Sequence, residues 1–453
     1  MIQRVLIANR SEIAVRIIRA CKEMGIETVA VYSQADKEAL HVQMADQAVC
    51  IGASLASESY LNMNNLIQAA CLTGCDAIHP GFGFLSENSR FARLVQECGL
   101  TWIGPRPEVI EQLGNKTEAR KMMAAKGVPI IPGMSKALSS EQEGLSVADE
   151  IGYPIILKAS NGGGGKGMRV VRSETEFQDA YYQTKSEAKQ FFGDEDVYIE
   201  KFIENPKHIE VQLAGDRYGN CVHFYERDCS FQIDNQKMME EAPCSCLSEA
   251  QRAALVESAC KACKAAKYDS VGTVEFLFDG HQHYFMEMNT RIQVEHPITE
   301  MITGIDLIAL QIRLAQGDPL PFTQAQIHKN GVAIECRINA EDVHHDFHGC
   351  AGKIRFYHCP GGNGIRVDSG IYSGYEVPPF YDSMLCKIIA YAPNRKACIQ
   401  KMKGALEEII VDGIETNEEF LYLALFQEDF LKGSYDTSMA AKFYQQCKKE
   451  ELL

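Results

Sequence analysis

Residues 153–171 read YPIILKASNGGGGKGMRVV and set a glycine run between two apolar runs. The apolar runs 153–160 and 168–171 predict a strand and its return strand. Backbone that lacks Cβ atoms can direct several N–H groups at one oxyanion, so the loop is a candidate phosphate-binding loop. It is not a Walker A loop, because Gly167 and then a strand follow Lys166. A plain flexible hairpin is the alternative, since a glycine run has little specificity.

Two lysines strengthen the phosphate interpretation of this loop. Lys158 lies in the strand before the glycines, and Lys116 lies upstream. Lysine ammonium groups in a cleft are compact charges that suit triphosphate oxygens. The segment 130–203 is therefore predicted to be a small, mobile, nucleotide-binding lobe.

The first hundred residues alternate strand and helix signals. Segments 5–8 and 28–32 read as strands. Apolar residues between them recur at helical spacing, at Ile13, Ile17, Ile18 and Cys21. This pattern predicts a parallel sheet with crossover helices. The first strand is followed by ANRSEIA and not by GxGxxG, which argues against a dinucleotide-binding domain.

Carboxylates mark a second candidate site further along the chain. Segments 273–278 and 284–288 read as a hairpin that sets Glu275 opposite Glu287, with Asn289 on the same face as Glu287. Oxygen ligands of this kind suit Mg²⁺ held together with substrate phosphates. The alternative is an ordinary solvated sheet face.

The next residues, TRIQVEHP, carry Arg291, Gln293 and Glu295. An arginine fork and an amide can hold a small planar oxyanion, and a neighbouring glutamate can act as a base. In isolation the segment is no more than a charged loop. Ser248 and Gln251 form a capping-box signature that opens a helix to about Lys267. The run 337–383 mixes short strands with turns and predicts an antiparallel sheet.

Bulk properties restrict the function classes. The 453 residues predict about three lobes. The net charge of -16, from 45 basic and 61 acidic residues, argues against a nucleic-acid surface. No stretch is apolar enough to span a membrane, and the N-terminus lacks a signal-peptide pattern. Seventeen cysteines scattered through predicted core elements favour a reducing cytoplasm.

Some cysteines and histidines resemble metal ligands but have a simpler explanation. Cys260 and Cys263 are predicted to pack within a helix, because no second pair accompanies them. Cys244 and Cys246 likewise lack predicted partners. The residues His344, His345 and His348 share a loop, where a metal site is a minor alternative.

Several motifs occur together in a diagnostic order. They are HPGFGFLSEN, KASNGGGGKGMR, EKFIENPKHIEVQ, EEAP, FMEMNTRIQVEHPITEMITGIDL, ECRINAED and VPPFYDSMLCKI. With these motifs the chain resembles the biotin carboxylases over nearly its whole length. The resemblance implies an ATP-grasp fold of class α/β and α+β. It implies an N-terminal parallel-sheet lobe (1–112), a linker and glycine-rich lid lobe (113–203), a C-terminal α+β ATP-grasp lobe (204–332) and a C-terminal region (333–453).

The resemblance also implies residue roles, carried over where the residues match. The implied nucleotide set is Lys116, Lys158, Gly164, Gly165, Met168, Glu200, Lys201, Ile203, His208, Gln232, Asn235, Glu275 and Glu287. The implied ligands of Mg²⁺ or Mn²⁺ are Glu275, Glu287 and Asn289. Bicarbonate would contact Lys237, Arg291, Gln293 and Val294, and biotin would contact Phe82, Gly83 and Arg337. The implied catalytic residues are Arg291, Glu295, Lys237 and Arg337.

By this resemblance Glu295 deprotonates bicarbonate for attack on the γ-phosphate of ATP, which gives carboxyphosphate. Arg337 then stabilises the enolate-like oxygen of biotin. The chain has no AMKM-like biotinylation site, so we expect biotin to arrive on a separate carrier protein. The expected setting is a cytoplasmic acetyl-CoA carboxylase, with a carrier, carboxyltransferase subunits and a homodimer of this chain. A subunit of a pyruvate or other acyl-CoA carboxylase, or a non-catalytic nucleotide-binding paralogue, are the alternatives.

Departures from the family pattern bear on these expectations. Ile233 and Asp234 replace two arginines, which is expected to weaken anion binding if those arginines face the site. Other departures are Ser11 for glycine, Phe82 for tyrosine, Asn115 for aspartate and Asn363 for a dimer-associated phenylalanine. The dimer-associated residues Arg19, Glu23 and Arg366 are present.

Overall fold

The computed structural model describes residues 1–134, 136–159, 167–450 and 452, apart from the side chain of residue 192. The N-terminal lobe is the predicted parallel sheet, in strand order β3-β2-β1-β4-β5. Its elements are β1 (Arg4–Ile7), α1 (Ser11–Glu23), β2 (Glu27–Ser33), α2 (Leu40–Met44), β3 (Gln47–Gly52), α3 (Met63–Leu72), β4 (Ala77–His79), α4 (Ser89–Glu97) and β5 (Thr101–Trp102).

The lid lobe is a small antiparallel sheet covered by helices. Its core alternates along β6, where Ile155, Leu157 and Ala159 are buried against Phe177. Lys158 lies between them on the opposite face, as the two-residue period of a strand requires. The linking and lid elements are α5 (Pro107–Gly114), α6 (Lys116–Ala125), α7 (Glu141–Ile151), β6 (Ile155–Ala159), β7 (Met168–Val171), α8 (Glu174–Phe192) and β8 (Val197–Lys201). The predicted return strand is confirmed, because Lys158 pairs with Met168.

An eight-stranded sheet forms the centre of the molecule, in the order β13-β12-β9-β10-β11-β14-β21-β19. Its first strands and their helices are β9 (Lys207–Gly215), β10 (Cys221–Ile233), β11 (Gln236–Ala242), α9 (Glu249–Ala265), β12 (Val271–Phe278), β13 (His283–Asn289), α10 (His296–Thr303) and α11 (Leu307–Gln316). The predicted capping box opens α9, where Ser248 and Gln251 bond reciprocally. Every residue of β9 is buried, because both faces of this part of the sheet are covered.

The C-terminal region completes the sheet and adds short antiparallel pairs, as predicted for residues 337–383. Its elements are β14 (Val332–Asn339), β15 (Glu341–Asp342), β16 (His348–Gly349), β17 (Gly352–Lys353), β18 (Phe356–His358), β19 (Ile365–Ser369), β20 (Glu376–Val377), β21 (Met384–Ala392), α12 (Arg395–Glu408), β22 (Ile410–Asp412), α13 (Glu418–Ala424), α14 (Glu428–Lys432) and α15 (Met439–Glu450). Because β11 pairs with β14, one sheet crosses the predicted boundary between residues 332 and 333.

Candidate active site

A cavity of about 1040 Å³ opens between the N-terminal lobe, the lid and the central sheet. It is lined by Phe82, Gly83, Lys116, Lys158, Met168, Lys201, Ile203, His208, Gln232, Asn235, Lys237, Glu275, Glu287, Asn289, Arg291, Gln293, Val294, Glu295 and Arg337. Predicted site residues that are spread from position 82 to position 337 in the sequence therefore line one cavity. The two predicted phosphate-loop glycines, Gly164 and Gly165, lie outside the described residues.

The β12–β13 hairpin has the predicted register, with Glu275 opposite Glu287. A bulge follows at once, since Phe276 pairs with Phe285. The alternative of a solvated sheet face is wrong for Glu275, whose residue is only 6% exposed. Glu275, Glu287 and Asn289 present carboxylate and amide groups to the cavity, and hard oxygen ligands of this kind fit Mg²⁺ or Mn²⁺.

Buried Glu275 is surrounded by donors. Lys237 Nζ lies 3.0 Å from its Oε1, and His208 Nε2 lies 2.9 Å from its Oε2. The side-chain amides of Asn289 and Gln293 each donate to Oε1 at 2.9 Å. Burial by itself would raise the pKa of Glu275, but the Lys237 and His208 charges hold that pKa well below its usual value. Glu275 is thus an ionised carboxylate.

Glu295 is fully buried immediately before α10 and lies between two cations. Lys237 Nζ on β11 is 2.8 Å from Oε1, and Arg337 Nη2 on β14 is 3.0 Å from Oε2. Burial opposes ionisation, yet Lys237 and Arg337 keep the pKa of Glu295 well below its usual value. Pairing of β11 with β14 brings the two cations together, so the sheet topology builds this cluster.

Sequence reasoning missed three carboxylates that hold the site cations. Glu210 Oε2 lies 2.7 Å from Lys237 Nζ, Glu240 pairs with Arg337, and Glu87 Oε2 accepts from Arg291 Nε at 2.9 Å. One signal was available for Glu210. In KHIEVQ the polar residues alternate, which places His208 and Glu210 on one face of a strand. Glu87 had no such signal, because its partner lies 204 positions away.

The Arg291 guanidinium is held on several sides. Its Nη1 donates to Gln293 Oε1 at 2.7 Å, and its Nη2 donates to Asn289 Oδ1 at 3.1 Å. Lys387 Nζ donates to the Val294 carbonyl at 2.7 Å. Arg291, Gln293 and Val294 are thereby fixed next to Glu295 at the cavity wall. A fixed guanidinium fork beside an amide is suited to a small oxyanion.

Cations also concentrate on the lid side of the cavity. Lys116 Nζ lies 3.2 Å from Glu287 Oε2, and Lys158 Nζ lies 2.6 Å from Glu200 Oε2. Arg120 pairs with the same Glu200. Burial, with the charges of Arg120 and Lys116, lowers the pKa of Lys158 to about 8. Positive charge in excess of its carboxylate partners is suited to phosphate oxygens.

In two residues of the predicted nucleotide set, the side chain bonds to other groups of the protein. Glu200 is 2% exposed and is not among the cavity-lining residues. Its carboxylate pairs with Lys158 and Arg120. Lys201 lines the cavity, but its Nζ donates to the carbonyls of Gly152 and Tyr153 at 2.9 and 3.0 Å. What Lys201 can offer a nucleotide is therefore its backbone.

The replaced arginine positions lie outside the lining residues. Ile233 packs against the C-terminal core, and Asp234 is exposed in the turn between β10 and β11. Asp234 and Asn235 have φ values of 50° and 65°, as a type I′ hairpin turn requires. Gln232 and Asn235, on either side of this pair, do line the cavity. Asp234 thus does not line the cavity.

At the other end of the cavity, Phe82 and Gly83 form part of the N-terminal wall. Asn9 Nδ2 fixes this loop by donating to the Phe82 and Pro80 carbonyls, each at 2.7 Å. Gly83 has φ +69°, a conformation that glycine adopts without strain.

The other cysteines and histidines have mixed outcomes. Cys260 and Cys263 lie in α9, as predicted, and Cys263 packs among the buried apolar residues beneath this helix. Cys244 and Cys246 are predicted to lack further metal-ligand partners, but Asp228 Oδ2 lies 3.4 Å from Cys244 Sγ, so a third potential ligand lies beside them. His345 pairs with Asp342 in an exposed turn shared with His344. Within the described part of the chain, no helix is long and apolar enough to cross a membrane.

These features define an ATP-grasp enzyme, in which a lid and a central sheet enclose a nucleotide cavity. Family models agree over most of the chain: "Biotin carboxylase, N-terminal domain" matches residues 1–110, "Carbamoyl-phosphate synthase L chain, ATP binding domain" matches 115–323, and "Biotin carboxylase C-terminal domain" matches 335–442. The chain belongs to the biotin carboxylase family and is an ATP-dependent biotin carboxylase.

Three relatives show the extent of the similarity. Biotin carboxylase 1 of Bacillus subtilis is 52% identical, over 96% of this chain and 98% of the relative. A biotin carboxylase–β-γ-ATP complex from Campylobacter jejuni has a TM-score of 0.93 at 46% identity, covering 98% of this chain and 99% of the other. The biotin carboxylase domain dimer of the Hydrogenobacter thermophilus 2-oxoglutarate carboxylase, in complex with MgADP, ADP and bicarbonate, has a TM-score of 0.91 at 47% identity, covering 97% of each chain.

Proposed function

We propose that this chain carboxylates biotin on a biotin carboxyl carrier protein through carboxyphosphate, as the first half-reaction of acetyl-CoA carboxylase in fatty acid synthesis. One observation carries the mechanistic part of the proposal. A fully buried carboxylate, Glu295, is held ionised between Lys237 and Arg337 in the cavity that also contains Lys116 and Lys158. A candidate base for bicarbonate and candidate cations for ATP phosphates thus lie in one cavity.

The charge arrangement suggests how Glu295 becomes basic when it is needed. In the free protein Lys237 and Arg337 lower its pKa, which makes Glu295 a weak base. An incoming bicarbonate competes for the same two cations together with Arg291, so the pKa of Glu295 rises as its partners are shared. Glu295 then accepts the bicarbonate proton, and a bicarbonate oxygen attacks the γ-phosphorus of ATP. The bond from the γ-phosphorus to the β,γ-bridging oxygen breaks, ADP leaves and carboxyphosphate forms.

The remaining residues are assigned to binding and charge stabilisation. Lys116 and Lys158 bind ATP phosphates, with Met168, Lys201, Ile203, His208, Gln232 and Asn235 around the nucleotide. Glu275, Glu287 and Asn289 hold Mg²⁺, which supplies charge neutralisation at the phosphates. Carboxyphosphate releases CO₂ and phosphate, phosphate takes the ureido proton of biotin, and the ureido nitrogen then attacks CO₂ to give carboxybiotin. Arg337 then stabilises the negative oxygen of biotin beside Phe82 and Gly83.

The alternatives differ in what would decide between them. A pyruvate, 2-oxoglutarate or other acyl-CoA carboxylase uses the same half-reaction, so the identity of the co-purifying transferase distinguishes them. A non-catalytic paralogue is disfavoured, because the replaced arginine positions lie outside the cavity while Lys237, Glu295 and Arg337 remain paired. Seventeen free thiols support a reducing cytoplasm as the location.

The test is ATP hydrolysis by the purified chain with Mg²⁺ and bicarbonate, with and without free biotin. We expect biotin to stimulate phosphate release. Glu295→Gln is expected to lower that rate by about 10²–10⁴-fold, the usual loss when a general base is removed. Glu97→Gln, an exposed glutamate at the end of α4, is the matched control and should keep full activity.

Binding of MgADP separates loss of chemistry from loss of fold, since Glu295→Gln leaves two buried cations underpaired. A Glu295→Gln variant that binds MgADP but does not turn over supports the assignment. Undiminished bicarbonate-dependent hydrolysis in that variant contradicts the role of Glu295 as the base. Absence of bicarbonate-dependent turnover in the unaltered chain contradicts the function.

A further inference from the structure

Two cysteines form a close pair outside the lining of the cavity. Cys244 and Cys246 follow β11 in the segment PCSC, residues 243–246. Their sulfur atoms are 3.3 Å apart; the Cys244 side chain is buried and Cys246 is exposed. A disulfide needs about 2.05 Å, so the sulfurs have to move closer by little more than about 1 Å.

The backbone of this segment is fixed from three directions. The Cys244 N–H donates to Glu226 Oε1 at 3.2 Å, and the Cys244 carbonyl accepts from Arg252 Nη2 at 3.0 Å. Ser245 Oγ donates to Glu241 Oε1 at 2.7 Å. These bonds use backbone atoms and the intervening serine. They hold the two thiols side by side without using either sulfur atom.

The surroundings make the two thiols chemically unequal. The Cys244 hydrogen bond, together with the charge of Lys207, places the pKa of exposed Cys246 below its usual value. Burial, together with Cys246 and Asp228, raises the pKa of Cys244 well above its usual value. An exposed sulfur with thiolate character next to a buried protonated one is the arrangement of an attacking and a resolving cysteine.

We propose that Cys244 and Cys246 are a reversible oxidation site that cycles between a dithiol and an intramolecular disulfide. The Cys246 thiolate attacks hydrogen peroxide, the O–O bond breaks and hydroxide leaves, which gives a sulfenic acid. The Cys244 sulfur then attacks the Cys246 sulfur, the S–O bond breaks and water leaves with the Cys244 proton. The peroxide gains two electrons and the cysteine pair loses two. A small dithiol reverses the step by thiol–disulfide exchange.

Asp228 makes the same group resemble a metal site, since its Oδ2 lies 3.4 Å from Cys244 Sγ. Its oxygens are already used, however. Lys207 Nζ binds Oδ2 at 2.8 Å, and the Ser230 N–H donates to Oδ1 at 3.0 Å. A divalent ion here would displace or face the Lys207 ammonium. That positive charge favours a thiolate at Cys246, and added Zn²⁺ tests whether a metal ion displaces it.

The site connects to the cavity through hydrogen bonds. Oxidation converts the Cys244 thiol, whose Sγ lies 3.4 Å from Asp228 Oδ2, into a disulfide sulfur that has no proton to share with Asp228 or Cys246. The Asp228 carboxylate also accepts a hydrogen bond from Ser230 Oγ. Ser230 Oγ in turn accepts one from the backbone N–H of His208 at 3.0 Å. The His208 ring contacts Glu275. Assuming the proposed function, we infer that oxidation weakens binding of MgADP through this connection.

The experiment treats the reduced full-length chain with increasing hydrogen peroxide and maps the cysteine peptides by mass spectrometry. We expect the peptide that contains both Cys244 and Cys246 to lose two hydrogens first and to regain them with dithiothreitol. In Cys244→Ser, Cys246 is expected to stop at a sulfenic acid that dimedone traps. Exposed Cys98, changed by Cys98→Ser, is the matched control and should leave the disulfide unaffected.

Two outcomes overturn the modification site. One is a pair that stays reduced while Cys98 and other thiols are oxidised. The other is retention of added Zn²⁺ by the pair with resistance to peroxide, which identifies a metal site.

MgADP affinity then tests the connection between the cysteine pair and the cavity. The connection is supported if the Kd for MgADP rises on oxidation, falls again with dithiothreitol and does not rise in Cys246→Ser. An unchanged Kd overturns the connection but leaves the oxidation site standing. A reduced chain that binds no MgADP instead refutes the proposed function.

Discussion

At the scale of single residues, the site depends on one lysine shared by several carboxylates. Lys237 Nζ contacts Glu210, Glu275 and Glu295 within 3.0 Å. Buried charges are stable only when each is paired, so removal of any partner leaves an uncompensated charge. Arg337 repeats the pattern with Glu240 and Glu295. The protein therefore holds Lys237 and Arg337, the cations that we propose bind the substrate anion, in place with its own carboxylates.

Lys158 gives the nucleotide site a pH dependence. Its pKa of about 8 means that this ammonium, which we propose binds ATP phosphates, loses its proton as pH rises above 8. We expect the affinity for MgADP, measured by calorimetry, to fall by up to about tenfold between pH 7 and pH 9. Bound phosphates raise the pKa of Lys158, so binding near pH 8 should take up a proton.

Lys158→Arg is the matched variant, because arginine stays charged over this range. Its affinity for MgADP should be nearly constant between the two pH values. Lys116 is not expected to contribute, because its pKa is raised despite its burial, chiefly by Glu287. An equal loss of affinity in Lys158→Arg would assign the pH dependence to another group.

At the scale of elements, the turn between β10 and β11 explains a departure from the family pattern. Both central residues have positive φ, which aspartate and asparagine tolerate better than most residues. We expect Asp234→Asn to preserve the turn and to leave bicarbonate-dependent ATP hydrolysis within about twofold. Asp234→Val should lower the unfolding temperature, because a β-branched residue is strained at this φ. A large gain of activity in Asp234→Asn would show that the aspartate charge reaches the anion site.

A buried histidine at the end of β4, His79, is expected to make the N-terminal lobe sensitive to acid. His79 is buried, and its Nδ1 accepts a hydrogen bond from the Gly81 N–H at 3.0 Å, which a protonated ring could not do. Burial lowers its pKa from 6.5 to about 3. The unfolded chain therefore binds a proton that the folded chain refuses. Stability is lost as pH falls below 6.5, by up to about 1.4 kcal/mol per pH unit.

The measurement is the unfolding temperature at pH 7 and pH 5.5. His79→Gln should show a smaller drop between these values than the unaltered chain. His281→Gln, an exposed histidine in the β12–β13 loop, is the control and should behave like the unaltered chain. An identical drop in all three proteins would place the acid-sensitive group elsewhere.

At the scale of the whole molecule, one face gathers the residues associated with dimer formation in the family. Helix α1 packs beside β19, and Arg19 Nη1 lies 3.9 Å from Asp368 Oδ1. Arg19, Glu23 and Asn363 are exposed, whereas Arg366 is tied to Glu300 and Asp368 at 2.7 Å. We propose that this face joins two copies of the chain.

Sedimentation of the purified chain tests this dimer. We expect a dimer for the unaltered chain and a monomer, or a much weaker dimer, for Arg19→Glu, because the reversal places like charges across a two-fold interface. Arg172→Glu, an exposed arginine on the lid, is the control and should remain dimeric. Dimer strength that is unchanged by Arg19→Glu would place the interface elsewhere.

The sequence alone determined the elements and their chemistry. Local periodicity predicted the N-terminal parallel sheet, the β6–β7 and β12–β13 hairpins and the Glu275–Glu287 register, because two-residue and 3.6-residue repeats are short-range properties. The ordered motifs identified the family, and most of the site residues that they implied line the cavity.

Only the tertiary structure decided which charges meet. The contacts of Arg291 with Glu87, Arg337 with Glu240, and Cys244 with Asp228 join elements that are distant in sequence or separated by turns. No local pattern encodes such contacts, since they follow from the order of strands in the central sheet. The burial of Glu275 was decided in the same way, by the packing of whole elements. The approach of Cys244 to Cys246 also depends on bonds from this segment to Glu226, Arg252 and Glu241.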